Sequence, residues 1–474
     1  MSRDIRIAVA ERTPERCGEI MDLLVRGEKK LPHFHQVADT FPESERPISE
    51  EIILETNPHL LLVNPETAIR RLSVERLKKL KPSLNIVYTC NREDNEITDV
   101  IEKGALRREA GYVYTDEKNF SEKLGDIYHC CVNPVKVGII GFGIFGQRSL
   151  FEMSKYIKDG FVEDIRVLSK NIKEEDFKNG VEQFGDRAKH ILLTNRVEDL
   201  NDREVIIYCS STLHGKEKVS KRDDRLDLFD YEAKHVYENC KRLAKVNYAG
   251  ALLMATNPVE LLLNVAMKAG LNSQQLTFPF TIDTERLYLS LQEQMIGVED
   301  KTKTKRQLRE VLKGLSINKP LGRSNYSSIV LGKHGNPFLP KIEEKTPISD
   351  KVFNATLGEL IKRAEENARL TGKKSMLASF SYANSPMRTV EFVKELANYK
   401  IRPTYTGSIL QVFPQSGFST FSANPLLVDY RDGIRFSLDR PKVIWNPEDI
   451  KKRLALYILA EDQYIKEFMK NGRR

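Results

Sequence analysis

The run Gly141-Phe142-Gly143-Ile144-Phe145-Gly146 has the spacing with which a backbone turn cradles the pyrophosphate of a dinucleotide. Its surroundings fit that chemistry. Val135-Lys136-Val137-Gly138-Ile139-Ile140 before it reads as a buried strand, and Gln147 to Ile157 after it as a helix with Leu150, Met153 and Ile157 on one face. In such a strand–turn–helix the first glycine makes the turn, the second lets backbone approach the phosphates, and the third lets helix pack on strand. Four further segments carry side chains of chemical use: Arg225-Leu226-Asp227-Leu228-Phe229, Thr256-Asn257-Pro258-Val259-Glu260, Ile282-Asp283-Thr284-Glu285-Arg286 and Val330-Leu331-Gly332-Lys333-His334-Gly335. Taken singly, each also has a purely structural use. Asp283 can cap a helix, and His334 can sit satisfied in a core. Arg225 and Arg286 can form surface ion pairs of at most ~1 kcal/mol, and Asn257-Pro258 can end a strand.

The elements that would hold these residues alternate between strand and helix. Ile5 to Val9, His59 to Val63, Asn85 to Thr89 and Gly111 to Tyr114 read as strands, and Pro14 to Val25 as an amphipathic helix. Regular alternation implies a parallel sheet with helices on both faces. Asn133-Pro134 breaks the chain, because a residue before proline is pushed away from helix. Further strands are predicted at Ile165 to Leu168, Val205 to Tyr208 and Ala251 to Ala255. Helices are predicted near Arg286 to Met295, Lys351 to Ala368, Met387 to Asn398 and Pro447 to Asn471.

Composition sets the outer bounds. A chain of 474 residues, 40% hydrophobic and 30% charged, is that of a multidomain globular protein. No apolar stretch reaches the ~20 residues of a membrane span, and Met1-Ser2-Arg3-Asp4 leads straight into a strand without a secretory leader pattern. The six cysteines show no metal or redox spacing, so a reduced, cytoplasmic setting without a structural metal is expected. A net charge of +8 is modest, and the basic run from Lys301 to Lys313 lacks interleaved aromatics, so no nucleic-acid partner is expected.

In order and rough spacing, the glycine turn, Arg-Leu-Asp-Leu, Thr-Asn-Pro-Val, Asp-x-x-Arg and Gly-x-His-Gly resemble the lactate/malate dehydrogenase family. Phe338-Leu339-Pro340 and Ser381-Tyr382-Ala383, the latter like that family's Ser-Tyr-Ala helix start, extend the resemblance to the C-terminus. It implies a Rossmann dinucleotide-binding domain over residues 135–280 and an α+β catalytic domain over 281–474, with hydride exchange between a nicotinamide and a small 2-hydroxy or 2-oxo acid. His334 would accept the hydroxyl proton and Asp283 would orient and stabilise the imidazolium. Arg286 would grip the substrate carboxylate with two parallel bonds, and Arg225, on a closing loop, would polarise the C–O bond. Asn257 would lie near nicotinamide and substrate oxygen. Lys218, with Lys216, sits near the substrate-selecting loop, where a cation favours a second carboxylate as in malate. Gly141, Gly143, Gly146 and Ser169 fall at cofactor positions, and a homo-oligomer is implied.

Ser169-Lys170 stands where the family's second strand ends in an acid for the ribose hydroxyls, which points to NADP over NAD or to no cofactor selection at all. Phe278-Pro279-Phe280-Thr281, Phe380 and Glu232 replace smaller or different residues. A catalytically weak or inactive dehydrogenase fold serving as a structural or interaction protein therefore stands beside the enzyme as the alternative.

Residues 4–130 resemble a response-regulator receiver, a flavodoxin-like α/β domain, most clearly in Glu109-Ala110-Gly111-Tyr112-Val113-Tyr114-Thr115-Asp116. The phosphate acceptor position is Asn64, Glu11 stands alone at the acidic pair, Thr115 replaces the lysine, and Thr89 matches the hydroxyl residue. The implied unit is a pseudo-receiver used for docking a protein partner or for dimerisation.

Overall fold

Short aliphatic runs with no polar face become the central strands of two parallel sheets. Leu60-Leu61-Leu62-Val63 and Val205-Ile206-Ile207-Tyr208 are wholly buried, as strands covered by helices on both faces must be. The computed structural model describes residues 3–28, 34–45, 48–81, 83–90, 111–115, 120, 134–170, 172–210, 229–279, 281–296, 331–333, 336–338, 359, 362–367, 376–397, 406–413, 418–429, 433–438 and 447–471. The stretches predicted as helix over 351–368 and basic run over 301–313 lie largely or wholly outside them.

The first sheet contains β1 (Arg3–Glu11), β2 (Phe34–Pro42), β3 (Leu60–Val63), β4 (Asn85–Cys90) and β5 (Gly111–Tyr114). Its order is β2-β1-β3-β4-β5, with every pair parallel. Alternate residues of β1 feed two cores. Ile5, Ile7 and Val9 pack with Cys17, Ile20 and Leu24 of α1 (Pro14–Glu28). Ala8 and Ala10 pack on the other face, with Ile53 of α2 (Glu50–Glu55), Ala68 of α3 (Pro65–Arg71) and Leu77 of α4 (Val74–Leu80).

The carboxyl edge of this sheet is closed by its own hydrogen bonds. Asn64 caps α3, its Oδ1 accepting from the backbone of Glu66 and Thr67 at 3.0 and 3.4 Å. Arg16 crosses from α1 to donate to Thr115 Oγ1 at 2.6 Å. The Thr89 hydroxyl donates to Glu11, which is fully buried at the end of β1. Burial raises the Glu11 carboxyl to about 7, against the opposing effects of the Thr89 bond and the charges of Arg16 and Arg12.

That raised carboxyl has a consequence for stability. The protonated form is the one the fold favours, so its contribution is complete below the unfolded carboxyl value of ~4.3. It is lost as pH rises through about 7. Glu11→Gln removes this loss: urea denaturation finds the variant close to wild type at pH 4 and up to about 3 kcal/mol more stable at pH 8. Buried Lys81, pushed down to about 7 by desolvation and then by Arg6, works in the opposite direction above that pH, but equally in both proteins. An identical pH dependence in variant and wild type would contradict the assignment.

The second sheet contains β6 (Val135–Ile140), β7 (Val162–Leu168), β8 (Ile191–Thr194), β9 (Val205–Tyr208), β10 (Ala251–Met254) and β11 (Leu276–Thr277). All its pairs are parallel, in the order β11-β10-β9-β6-β7-β8. Read from the far edge this is 3-2-1-4-5-6, the Rossmann order, and its direction reverses between β6 and β9. After β6 the chain enters α5 (Ile144–Lys158), which shares a core face with α6 (Glu174–Glu182). After β9 it passes to α7 (Phe229–Lys245) and α8 (Val259–Lys268) on the opposite face. The crevice opens where these two paths diverge.

The remaining described elements are α9 (Thr281–Ile296), β12 (Leu331–Lys333), β13 (Asn336–Phe338), α10 (Met376–Ala397), β14 (Thr406–Phe413), β15 (Phe418–Asp429), β16 (Arg435–Leu438) and α11 (Pro447–Asn471). The strands form an antiparallel sheet ordered β13-β12-β15-β14, with β16 also on β15. Val390, Phe392 and Phe436 close one face of the second sheet's core. α10 begins at Met376, so Ser381-Tyr382-Ala383 lies inside the helix and not at its start. Met376-Leu377-Ala378 are strong helix formers and extend it backwards. Among the described residues no helix is long and apolar enough to cross a membrane.

Candidate active site

The three glycines do different work. Gly141 follows β6 with φ +100, and a Cβ there would fall 2.5 Å from the backbone of Ser210 at the end of β9. A Cβ on Gly146, in the first turn of α5, would fall 2.2 Å from the Gly141 carbonyl. Both therefore serve the close crossing of turn, helix and neighbouring strand. Gly143 is the N-cap of α5 and makes no side-chain capping bond. The first amides of α5 thus have no cap side chain competing for them, and a helix start of this kind receives anions. Gln147 Nε2 to the Phe142 carbonyl (3.1 Å) and Cys209 Sγ to the Gly141 carbonyl (3.3 Å) brace the turn.

Along the same carboxyl edge stand the next positions of the neighbouring strands. Ser169 follows β7, half-buried, with its backbone N–H on Thr194 O at 3.2 Å, and Lys170 beside it is exposed. Among the described residues no carboxylate takes the place of Ser169 there. Thr256 follows β10 and donates to Ser210 O at 2.8 Å. Asn257, next to it, has a buried Oδ1 with no hydrogen-bond partner among the described residues. Buried amide oxygens of this kind are uncommon and call for a donor.

Asp283 and Arg286 lie one turn apart on α9, Asp283 fully buried and Arg286 5% exposed. Arg286 Nη1 is 3.6 Å from Asp283 Oδ1. The spacing puts both groups on one helix face. α9 packs against α10 and β13. β13 pairs with β12 through Lys333 and Asn336, the residues that flank positions 334 and 335. Lys333 is itself buried, its Nζ on Glu461 at 2.8 Å, which fixes β12 to α11. His334, Arg225, Lys218 and Lys216 lie outside the described residues. The structure therefore brings Gly141, Gly143, Gly146, Ser169 and Asn257 to one sheet edge, and Asp283 with Arg286 to a helix against the β12–β13 pair.

Phe278, a bulky departure from the family pattern, is buried in the core with α7 and α8, so it fills the interior instead of a substrate pocket. A cavity of about 570 Å³ lies between α5, α6 and the Pro386–Met387 stretch of α10, lined by Phe142, Phe151, Phe177 and Phe184. It contains none of the expected site residues. Sequence reasoning missed His235, on α7, whose Nε2 is 3.0 Å from Ser210 Oγ and 3.3 Å from Asn239 Nδ2. Burial, then the charge of Lys170, holds its pKa below the usual imidazole range. Among the described residues no cluster of His, Cys, Asp or Glu could hold a metal ion.

No family model matches the sequence, and no curated protein matches it either. Among solved structures the chain is similar to lactate dehydrogenase from Cryptosporidium parvum, described as complexed with lactic acid and nicotinamide adenine dinucleotide. That match has 15% identity and a TM-score of 0.49, covering 71% of this chain and 98% of the other. Malate dehydrogenase from Plasmodium falciparum matches at 14% identity and TM-score 0.49, over 71% and 99% of the two chains. Minor L-lactate dehydrogenase from Enterococcus mundtii matches at 16% identity and TM-score 0.48, over 70% and 98%.

Proposed function

We propose that this chain is an NAD(P)-dependent dehydrogenase of small 2-hydroxy acids, with a dinucleotide-binding unit over 135–280, a substrate unit over 281–474 and a docking unit over 4–130. The observation that carries the reading is the burial of Asp283 and Arg286 together on α9, beside the strands that flank His334. A carboxylate and a guanidinium withdrawn from water are costly to keep. In this reading they are kept for reaction. Gly143 and the open first turn of α5 fit a pyrophosphate, and a nicotinamide bound there supplies the hydride donor or acceptor.

The chain's own residues do the rest. His334 takes the substrate hydroxyl proton at a ring nitrogen, and Asp283 holds the ring and offsets the charge it gains. Arg286 pairs with the substrate carboxylate, Asn257 gives its amide to the substrate side of the crevice, and Arg225 polarises the C–O bond while its loop excludes water. Lys218 selects for a second carboxylate. Oxidation of reduced nicotinamide is therefore expected to run faster with oxaloacetate than with pyruvate, in an absorbance assay with each nucleotide. Turnover of pyruvate alone would overturn the selectivity, and turnover of neither would favour the second reading.

That second reading is an inactive scaffold. The observation in its favour is the 3.6 Å approach of Arg286 to Asp283, a pair that can neutralise itself with no substrate. For residues 4–130, the 2-1-3-4-5 strand order supports a flavodoxin-like pseudo-receiver. With Asn64 occupied as a helix cap and Thr89 given to Glu11, its edge serves docking or self-association and not phosphate transfer.

A further inference from the structure

Lys333 is the last residue of β12 and is bonded to position 334, so the two Cα atoms lie ~3.8 Å apart. Lys333 is 4% exposed and Glu461 8%, and Lys333 Nζ donates to Glu461 Oε2 at 2.8 Å across 128 residues of sequence. The same ammonium donates to the Phe421 carbonyl on β15. α11, which carries Glu461, reaches a second place of interest. Its Tyr464 ring meets Phe229 edge-on at 5.7 Å, and Phe468 meets Phe229 at 5.9 Å and Tyr237 at 5.8 Å. Positions 461, 464 and 468 share one helix face. Phe229 is buried as the first residue of α7, four residues after Arg225. One face of α11 therefore holds both the strand that leads to His334 and the helix that follows Arg225.

We infer that Lys333 and Glu461 are positioning residues of the reaction, holding the acid/base in place and screening it from the lysine charge; the inference rests on the dehydrogenase reading above. A buried ammonium and carboxylate gain little stability over apolar side chains of similar volume. Apolar residues at both places would join β12 to α11 as firmly. What the pair adds is direction, because one ammonium bonded to both a carboxylate and a carbonyl fixes the end of β12 against two elements at once. It also adds charge balance. A bare ammonium next in the chain to His334 would disfavour an imidazolium. Glu461 offsets it, which leaves the ring free to take and return a proton near neutral pH.

The elements packed around the pair carry few other charges. β13 and β14 have none. Asp429 stands at the last position of β15, well past the Ala423 that pairs with Gly332. α8, which packs on both α11 and β15, has buried Glu260 in its first turn and Lys268 in its last. On α11 itself, Asp462 pairs with Lys466, and both are exposed. α9 brings Asp283 and Arg286, the site's own charges, against β13. Removing one member of the Lys333–Glu461 pair therefore changes the field at position 334 by a whole charge, and removing both changes it by none.

The test is steady-state reduction of oxaloacetate and of pyruvate by the full chain, from pH 5.5 to 9, at saturating reduced nucleotide. Reduction needs a protonated imidazole, so its rate falls as pH rises. In Glu461→Gln the uncompensated ammonium moves that fall about one pH unit lower, the effect of a charge ~10 Å away at an effective dielectric of ~20. Lys333→Met leaves the carboxylate and moves the fall higher. Both variants lose about tenfold or more in kcat, as a displaced reacting group does, with nucleotide affinity within about twofold. Lys333→Arg keeps the charge and recovers most of kcat and the wild-type profile. The double variant Lys333→Met with Glu461→Leu keeps the apolar join and returns the profile to its wild-type position, but stays slow. Single variants that keep wild-type kcat and pH profile would overturn the inference and leave the dehydrogenase reading intact. So would a double variant as fast as wild type, a result that stands even where the single variants fail to fold. Turnover of neither acid by the wild-type chain would overturn the dehydrogenase reading and the inference with it.

Discussion

His334→Asn lowers turnover of a 2-oxo acid by about 10²–10⁴-fold while leaving nucleotide affinity within about twofold, the range expected when a general acid/base is lost. Asparagine fills similar space and donates a hydrogen bond, so substrate can still be oriented. What it cannot do is exchange a proton with the substrate oxygen near neutral pH. The loss should therefore fall on kcat, with KM for the 2-oxo acid changed far less. Steady-state kinetics with fixed nucleotide separate the two. A variant that turns over at wild-type rate would remove His334 from the chemistry and leave the glycine turn as a binding site only.

Asp283→Ala is expected to cost about 3–5 kcal/mol of stability, the range for removing one partner of a buried ion pair. Arg286 is 5% exposed and would lose the Asp283 carboxylate that lies 3.6 Å from it. Urea denaturation measures the effect. The double variant Asp283→Leu with Arg286→Met separates structure from function. Well-packed apolar replacements commonly match a buried ion pair in stability, so the double variant should recover most of the loss while remaining inactive. Recovery of activity as well would mean that the pair is a structural device. A loss of under about 1 kcal/mol in the single variant would instead show that the site is wetter and the charges less constrained than this burial implies.

The strands legible in the sequence were those whose burial leaves them no choice of residue. Leu60–Val63, Val135–Ile140 and Val205–Tyr208 run where their apolar composition predicts. The edge strands β2 and β8 and the antiparallel strands β14 and β15 were not legible. β2, Phe34–Pro42, lies at the edge of its sheet and alternates poorly, with His35, Gln36 and Asp39 in its run. β8 is short and also an edge. β14 and β15 carry Gln411, Asn424 and Pro425, residues that speak against a strand until a neighbour supplies the pairing. In the site, Asp283 and Arg286 could be read because helical spacing alone makes them neighbours. His235 could not, since its contact with Ser210 spans 25 residues and depends on α7 lying along β9. The self-satisfied edge of the first sheet was half legible. Asn64 announced the missing acceptor, but its use as the cap of α3 needed the fold.

The central claim is that the crevice between β6 and β9 binds a nicotinamide dinucleotide. The direct measurement is thermal unfolding of the full chain with NADH and with NADPH. A ligand present at 100 times its Kd stabilises a fold by ~2.7 kcal/mol, which moves the transition visibly. The account predicts an upward shift with at least one of the two, larger for NADPH. No shift with either, at millimolar nucleotide, would contradict it.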